Sequence, residues 1–169
     1  PVDIFITVTG EPEDIVRKTA EAILRMDYPT FNVFILNDGL VANKENWKEI
    51  EVLSQELGIT CITRRIGGGA KAGNINNALN HSTSSYVAIF DADHIPHADF
   101  LTTTTGYFSD IKMGFVQTPQ FYQNSELTKT TRASWEQQDL LYEPICRVKN
   151  RRNSATMCGT TMVLSRDAF

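Results

Sequence analysis

Short apolar runs alternate with helical patterns along the whole chain, and this alternation constrains the possible folds most. The first run, residues 2–8, is rich in β-branched residues and is followed by Gly10. Runs of this length and composition are typical of buried strands rather than helices. We therefore predict strands at residues 2–8, 31–36, 59–63, 86–90, 113–117 and 157–164.

Helical patterns separate these runs. Pro12 fits the first position of a helix, and the acidic Glu13 and Asp14 suit its positive end. Apolar residues at helical spacing from Trp47 onwards mark a second helix, which Gly58 closes. Further helices are predicted at residues 72–81, 100–108 and 125–146. Strands that alternate with helices predict one α/β domain over residues 1–169, with an open, mostly parallel, Rossmann-like sheet covered on both faces.

Composition excludes several classes of protein. The chain of 169 residues has 41% hydrophobic and 21% charged residues, which is ordinary for a globular domain. Its net charge of −4 argues against nucleic acid as a partner, because phosphate contacts need a basic surface. Three cysteines without short spacing indicate a reducing compartment such as the cytoplasm, and no run is long enough to span a bilayer.

The two ends of the sequence indicate a piece of something longer. The chain opens at Pro1 without a methionine and enters an apolar run almost at once. It stops at Phe169, shortly after another apolar run. We therefore expect a soluble fragment of a larger protein.

Polar side chains follow the predicted strands, where ligands bind in open α/β sheets. Several of them are carboxylates, which repel one another at one edge unless a cation or a hydrogen-bond donor lies between them. This pattern favours a bound metal or ribose hydroxyls. The residues at these strand ends are Glu11, Asp38, Arg64, Arg65, Asp91, Asp93 and Gln117.

The sharpest feature is the sequence Asp91-Ala92-Asp93-His94. Residues two apart in an extended chain point the same way, so both carboxylates can face one ion. Mg²⁺ prefers one or two carboxylates and takes its other ligands from water and phosphates. Two alternatives remain open here. Asp93 can be a cap of a helix or turn, or His94 and His97 can join the aspartates around Zn²⁺, Mn²⁺ or Fe²⁺.

Two loops add weaker signals. The first, Asn37-Asp38-Gly39, is typical of a turn, but its acid can also accept hydrogen bonds from a ribose or a base. The glycine-rich segment 67–74 leads into a helix and carries Lys71, so its backbone donors and its lysine can hold a diphosphate. It matches neither of the usual nucleotide-binding glycine motifs, and a flexible loop is the alternative.

Taken in order, these segments resemble the family-2 glycosyltransferases, most closely the catalytic subunits of cellulose synthases. The similarity covers essentially the whole chain, and six segments in order are more specific than any one of them. The segments are Phe-Ile-Thr-Val-Thr-Gly-Glu-Pro at 5–12, Asn-Asp-Gly at 37–39, Ala-Lys-Ala-Gly-Asn at 70–74, Phe-Asp-Ala-Asp-His at 90–94, Val-Gln-Thr-Pro-Gln-Phe-Tyr at 116–122, and Cys-Gly-Thr at 158–160 with Val-Leu-Ser-Arg at 163–166.

The resemblance implies the nucleotide-binding half of a glycosyltransferase A-type fold, together with the start of its acceptor half. It implies a metal cofactor, Mg²⁺ or Mn²⁺, between the two aspartates and the diphosphate. The implied nucleotide-sugar ligands are Thr9, Glu11, Asp38, Lys71 and Asp91, the metal ligands are Asp91 and Asp93, and the acceptor-side residues are Cys158, Gly159 and Thr160.

Several positions depart from the family pattern. At the base-contacting turn, Val8 replaces Thr and Gly10 replaces Asn, and Asn37 replaces the first acid of an Asp-Asp pair. Met157 replaces Phe, and Thr160 replaces Ser. The family's catalytic base, in a Thr-Glu-Asp segment, and its acceptor-gripping Gln-x-x-Arg-Trp segment are both absent. The resemblance therefore places no catalytic residue in this chain and the base beyond residue 169.

The activity implied is inverting transfer of a sugar, with UDP-glucose as donor and a growing β-glucan as acceptor. The longer protein is expected at the cytoplasmic face of the inner membrane, attached through parts outside this chain. One alternative is a nucleotidyltransferase, which also uses acids and Mg²⁺ on an α/β sheet. The other is a non-catalytic nucleotide-binding or interaction domain whose acids are caps and turns.

Overall fold

A computed structural model describes residues 1–168, and its centre is a six-stranded sheet in the order β3-β2-β1-β4-β6-β5. The strands are β1 (Val2–Val8), β2 (Phe31–Asn37), β3 (Thr60–Thr63), β4 (Tyr86–Asp91), β5 (Phe115–Gln117) and β6 (Met162–Ser165). The helices are α1 (Glu13–Leu24), α2 (Trp47–Glu56), α3 (Ala70–Leu79), α4 (Phe100–Thr105), α5 (Lys129–Leu140) and α6 (Arg147–Arg151). Short 3₁₀ turns lie at Gly106–Ser109 and Arg166–Ala168, and a π-helical turn, Leu141–Cys146, joins α5 to α6.

The sheet is mostly parallel, as predicted. Strand β1 pairs in parallel with both β2 and β4, and β2 pairs in parallel with β3. The exception is β6, which runs antiparallel between β4 and β5. Its first residue, Met162, lies opposite Ile89 and Gln117, so the chain before β6 lies at the carboxyl edge of the other strands.

Helices cover both faces of the sheet, which explains why its central strands are apolar on both sides. All seven residues of β1 are buried. Ile4 and Ile6 face the side on which α1, α2 and α4 pack, whereas Phe5 faces the side covered by α3. The predicted α/β class with a Rossmann-like sheet is therefore confirmed.

Several observed boundaries differ from the predicted ones. Strand β5 begins at Phe115 instead of residue 113, α4 ends at Thr105 instead of residue 108, and the helix predicted at 125–146 begins at Lys129 and continues as a π-helical turn and α6. Pro12 precedes the first helix instead of occupying its first turn, and α3 begins at Ala70. The last strand begins only at Met162, because Gly159 and Thr161 have φ angles of 83° and 49°, which are incompatible with an extended strand. In residues 1–168 no helix combines the length and the apolar character needed to cross a membrane.

Candidate functional site

A cavity of about 310 Å³ opens at the carboxyl edge of the sheet. It lies where β1, β4 and the start of α3 meet, so residues distant in sequence share its wall. Five of the predicted site residues line it together: Thr9, Glu11, Lys71, Asp91 and Asp93. The remaining lining residues are Thr7 and Asn74.

Asp91 is the best-connected carboxylate in this cavity. Its Oδ1 accepts a hydrogen bond from the Thr7 hydroxyl at 3.1 Å and another from the Lys71 ammonium. Its Oδ2 lies 3.6 Å from Nδ1 of His94. Asp91 is therefore fixed by its neighbours, whereas the side chain of Asp93 is 70% exposed.

The donor set suits a hard divalent cation. Asp91 and Asp93 present carboxylate oxygens to one cavity, and Mg²⁺ and Mn²⁺ take such oxygens together with water and phosphate. Among residues 1–168, no three side chains of the types His, Cys, Asp and Glu lie close enough together to form a metal cluster. His94 lies beside the aspartates, and His97 is exposed.

A tight glycine loop, residues 67–69, precedes α3 and positions Lys71 in the first turn of that helix. Gly68 and Gly69 have φ angles of 135° and 69°, which favour glycine. Gly73 has no room for a side chain, because a Cβ there would lie 2.0 Å from the carbonyl oxygen of Gly68. The loop therefore folds back onto the first turn of α3, from which the Lys71 side chain reaches Asp91.

Asp38 is not among the residues that line this cavity. Its carboxylate is buried and accepts two hydrogen bonds from Arg64, with Nε–Oδ1 at 2.8 Å and Nη2–Oδ2 at 2.5 Å. Arg64 also donates to the carbonyl oxygen of Gly68 at 2.6 Å. The contact of Asp38 with a nucleotide stays a prediction. The sequence placed both residues at strand ends but gave no sign that they pair.

The turn after β1 is held by a hydrogen bond to Glu11, an acid within the turn. Oε2 of Glu11 accepts a hydrogen bond from the backbone N–H of Thr9 at 2.6 Å. The side chain of Asn46 donates to the carbonyl oxygen of Glu11 at 3.0 Å. Gly10, between Thr9 and Glu11, has a φ angle of 111°, and a Cβ there would collide with the side chain of Lys44. A glycine in place of the family's Asn therefore suits this particular turn.

The predicted acceptor-side segment, Cys158 to Thr160, lies beside Asp91. The hydroxyl of Thr160 accepts a hydrogen bond from the backbone N–H of Asp91 at 2.9 Å and lies 3.0 Å from Nδ1 of His94. Gln117 holds the segment from the other side, since its Oε1 accepts from the Cys158 N–H and its Nε2 donates to the Thr160 carbonyl. Sequence reasoning gave Gln117 no such role; its signals were its place at a strand end and in the family-like segment 116–122.

Tyr142 connects the helical segment Lys129–Arg151 to this region. It lies in the π-helical turn and is buried. Burial, followed by a hydrogen bond with the Cys158 thiol, raises the pKa of Tyr142 well above its usual value. Burial also raises the pKa of the Cys146 thiol, and the neighbouring Cys158 adds to that effect. The side chains of Tyr142 and Cys146 therefore lie close to Cys158, the first residue of the predicted acceptor-side segment.

A larger concavity of about 740 Å³ lies along the edge strand β3. Its lining includes Arg64, Arg65 and His81 but, within the described part of the chain, no carboxylate. The two aspartates lie at the smaller cavity, which is therefore the candidate site for a metal and a nucleotide.

Comparison with known proteins shows the family of this chain. Residues 3–169 match the family described as Glycosyl transferase family 2. The chain belongs to this family. It is 34% identical to the cellulose synthase catalytic subunit [UDP-forming] of Xanthomonas axonopodis pv. citri (strain 306), over 99% of this chain and 23% of that protein. The corresponding protein of Pseudomonas fluorescens (strain SBW25) is 32% identical over 98% of this chain and 23% of its own length.

This family-2 chain thus spans about a quarter of the length of these relatives. Two solved structures share its fold. A glucosyl-3-phosphoglycerate synthase from Mycobacterium tuberculosis, in complex with Mn²⁺, UDP and glucosyl-3-phosphoglycerate, has a TM-score of 0.63 at 15% identity, over 98% of this chain and 57% of that one. A mannosyltransferase from Pyrobaculum calidifontis, in complex with GDP-Man and Mn²⁺, has a TM-score of 0.57 at 20% identity, over 70% of this chain and 36% of the other.

Proposed function

We propose that this chain is the donor-binding part of an inverting glycosyltransferase of the cellulose synthase type, which transfers glucose from UDP-glucose to a growing β-glucan. The observation that carries the proposal is the convergence of Glu11, Lys71, Asp91 and Asp93 on one cavity at the carboxyl edge of the sheet. The two relatives of this chain described above are named as UDP-forming, which supports UDP as the nucleotide product.

Asp91 and Asp93 would hold Mg²⁺ or Mn²⁺. Bound there, the cation would supply positive charge that steadies the departing diphosphate. Lys71 adds a second positive charge from the first turn of α3, at the end of the helix that favours anions. The structural neighbour from Mycobacterium tuberculosis was crystallised with Mn²⁺ and UDP, which supports the same pairing of ligands.

The nucleoside would lie along the turns after β1 and β2. Glu11 and Thr9 line the cavity, and their side chains can accept hydrogen bonds from a base or a ribose. Asp38 would contribute a carboxylate contact to the nucleoside. Arg64 pairs with this carboxylate and also donates to the Gly68 carbonyl of the glycine loop.

The acceptor would approach from the side of Cys158, Gly159 and Thr160. The hydrogen bond from Asp91 to Thr160 fixes this segment beside the donor cavity. Inverting transfer also needs a base that deprotonates the acceptor hydroxyl. We place this base beyond residue 169, in the remainder of a longer, membrane-associated protein whose site faces the cytoplasm. The chain of 169 residues is therefore expected to bind UDP but to transfer little sugar.

Calorimetric titration of UDP into the chain tests the proposal, with and without Mn²⁺. We expect binding that depends on the metal, and a loss of affinity of about tenfold or more in Asp93→Ala, because one of two carboxylate ligands is removed. The control is Asp139→Ala, which removes an exposed acid on α5, far in sequence from the cavity, and should change nothing. Undetectable UDP binding under both conditions, or equal binding by Asp93→Ala, would contradict the proposal.

A further inference from the structure

The carboxylate of Asp91 already has a cationic partner within the chain. The Lys71 ammonium contacts Oδ1 of Asp91, the same oxygen that accepts the Thr7 hydrogen bond. Both side chains of this ion pair are 36% exposed, so neither is locked in the core. The Lys71 ammonium therefore compensates the negative charge of Asp91.

The charges of the cavity show why this place matters. Three carboxylates line it, on Glu11, Asp91 and Asp93, and Lys71 is the single cationic side chain among the described residues of its wall. Without ligands, the ammonium reduces the repulsion among these acids. A divalent cation added beside the same carboxylate would instead repel the ammonium across a few ångströms. Lys71 and a metal ion therefore compete for Asp91.

A nucleoside diphosphate changes the balance. Its phosphate oxygens offer the ammonium a new anionic partner close to the start of α3. A lysine side chain has a flexible stem and three rotatable donors, so its head can change partners without movement of the helix. The partly exposed Lys71 meets this requirement.

We propose that Lys71 is the resident counter-ion of Asp91 and exchanges this carboxylate for the diphosphate when a divalent cation is taken up at the two aspartates. The proposal rests on the function proposed above, since it assumes that UDP and a metal share this cavity. Its consequence is that the metal and the nucleotide bind with positive coupling, each raising the affinity for the other by the same factor.

A fixed lysine would behave differently. If Lys71 only contacted the phosphates, or only supported the loop, its removal would weaken UDP binding but would not improve binding of the metal alone. The competition with the metal is the distinctive expectation, and it can be measured without any sugar transfer.

The experiment compares the chain of 169 residues with Lys71→Met, which keeps the length of the side chain and removes its charge. Mn²⁺ alone is titrated first and followed by electron paramagnetic resonance of the free ion. We expect Lys71→Met to bind Mn²⁺ about fivefold more tightly or better, and UDP in the presence of Mn²⁺ about fivefold more weakly or worse, a range typical of coupling between sites. Lys18→Met, an exposed lysine on α1, is the matched control and should leave both affinities unchanged.

Mn²⁺ affinity that is unchanged or weaker in Lys71→Met would overturn the proposal, as would undetectable Mn²⁺ binding to both chains. Equal thermal unfolding temperatures in the presence of a chelator would exclude a folding defect as the cause of any difference. If UDP and Mn²⁺ enhance each other's binding to the unmodified chain, but Lys71→Met changes neither that enhancement nor the affinity for Mn²⁺ alone, the proposed function stands and the exchange by Lys71 is wrong. If UDP does not bind at all, the proposed function fails, while tighter Mn²⁺ binding by Lys71→Met would still identify Lys71 as the counter-ion.

Discussion

The helices of the first 109 residues and the helical segment Lys129–Arg151 are built on different principles. Helix α1 buries Val16 and Ile23 against the sheet, and α2 buries Ile50 and Leu53. In the described part of the second segment, only Tyr142 is buried, and α5 and α6 bury no residue. The first region is therefore stabilised by a core of its own, whereas the segment Lys129–Arg151 is stabilised mostly by local interactions.

The local interactions are visible along that segment. A capping box between Thr128 and Thr131 starts α5. Ion pairs four residues apart follow, from Arg132 to Glu136 and from Arg147 to Glu143. Each such exposed pair contributes little, about 0.3–0.5 kcal/mol. The cavity at Asp91 can therefore keep its geometry even if the segment Lys129–Arg151 unfolds locally.

The largest expected effect on the free energy of unfolding comes from the core next to the cavity at Asp91. Phe90 is fully buried in β4, and its ring packs against Phe100 with centroids 4.9 Å apart. Phe90→Ala should lower the free energy of unfolding by about 3–5 kcal/mol, measured by urea denaturation. Phe121→Ala removes a ring that is 67% exposed and lies beside Trp135 of α5, with ring centroids 5.4 Å apart, and it should cost less than about 1 kcal/mol. Similar losses for both variants would erase the proposed contrast between the two regions.

A second large effect is expected from the buried ion pair. Arg64→Met leaves the Asp38 carboxylate buried without its partner, which should cost about 3 kcal/mol or more in unfolding free energy. The double variant Arg64→Met with Asp38→Leu removes both charges and should regain part of that loss. A double variant as unstable as the sum of its single changes would show that the two side chains act independently.

A smaller, pH-dependent effect is expected at Asp3. Burial opposes its ionisation, but hydrogen bonds from Asn32 and Ser84, together with Arg166, outweigh burial and hold the pKa of Asp3 below its usual value of 3.8. A lowered folded-state pKa stabilises the chain above the unfolded-state pKa, and that contribution is lost as the pH falls through the folded-state value. Asp3→Asn should therefore be less stable than the unmodified chain by about 2 kcal/mol near neutral pH.

The difference between these two chains should shrink as the pH falls from 3.8 through the lower folded-state pKa of Asp3, because the carboxyl is protonated first in the unfolded chain and then in the folded one. Chemical denaturation at a series of pH values measures it. A stability difference that is constant through this acidic range would mean that the charge of Asp3 contributes nothing.

The smallest effect is expected on the exposed face of the helical segment. Val148 in α6 is half exposed. Val148→Ser should change the free energy of unfolding by less than about 0.5 kcal/mol, since it removes little buried apolar area. Native-state hydrogen exchange should show faster exchange for the amides of α6 than for those of β1 in both chains. A loss above about 1 kcal/mol would indicate that α6 packs against a core.

The two regions also differ in how far the sequence predicts them. Strands β1 to β4 were predicted to within about a residue, because parallel strands buried on both faces leave continuous apolar runs. The rule that ligands bind at the carboxyl ends of such strands also predicted that Glu11, Asp91 and Asp93 would share an edge. That much of the candidate site follows from local sequence patterns.

The rest depends on contacts between distant residues. Residues 157–161 were predicted as part of the last strand, but left-handed backbone at Gly159 and Thr161 delays that strand to Met162. The hydrogen bond between Asp91 and Thr160 exists only because β6 inserts between β4 and β5. The pattern of apolar residues in β5 and β6 does not indicate that β6 inserts between β4 and β5. The partners of Lys71 and Arg64 were missed for the same reason, since a strand-end residue does not reveal which neighbour it contacts.

We also expect the insertion of β6 to influence the order of folding. Within residues 1–168, strand β5 pairs only with β6, although β5 comes earlier in the chain. A growing chain can therefore assemble β1 to β4 first, while β5 has no sheet partner until β6 has been synthesised. Pairings of such large sequence separation form slowly, because a long loop must close before they become favourable. Within residues 1–168, we therefore expect the chain around Thr160 to adopt its structure after the cavity at β1 and β4 has formed.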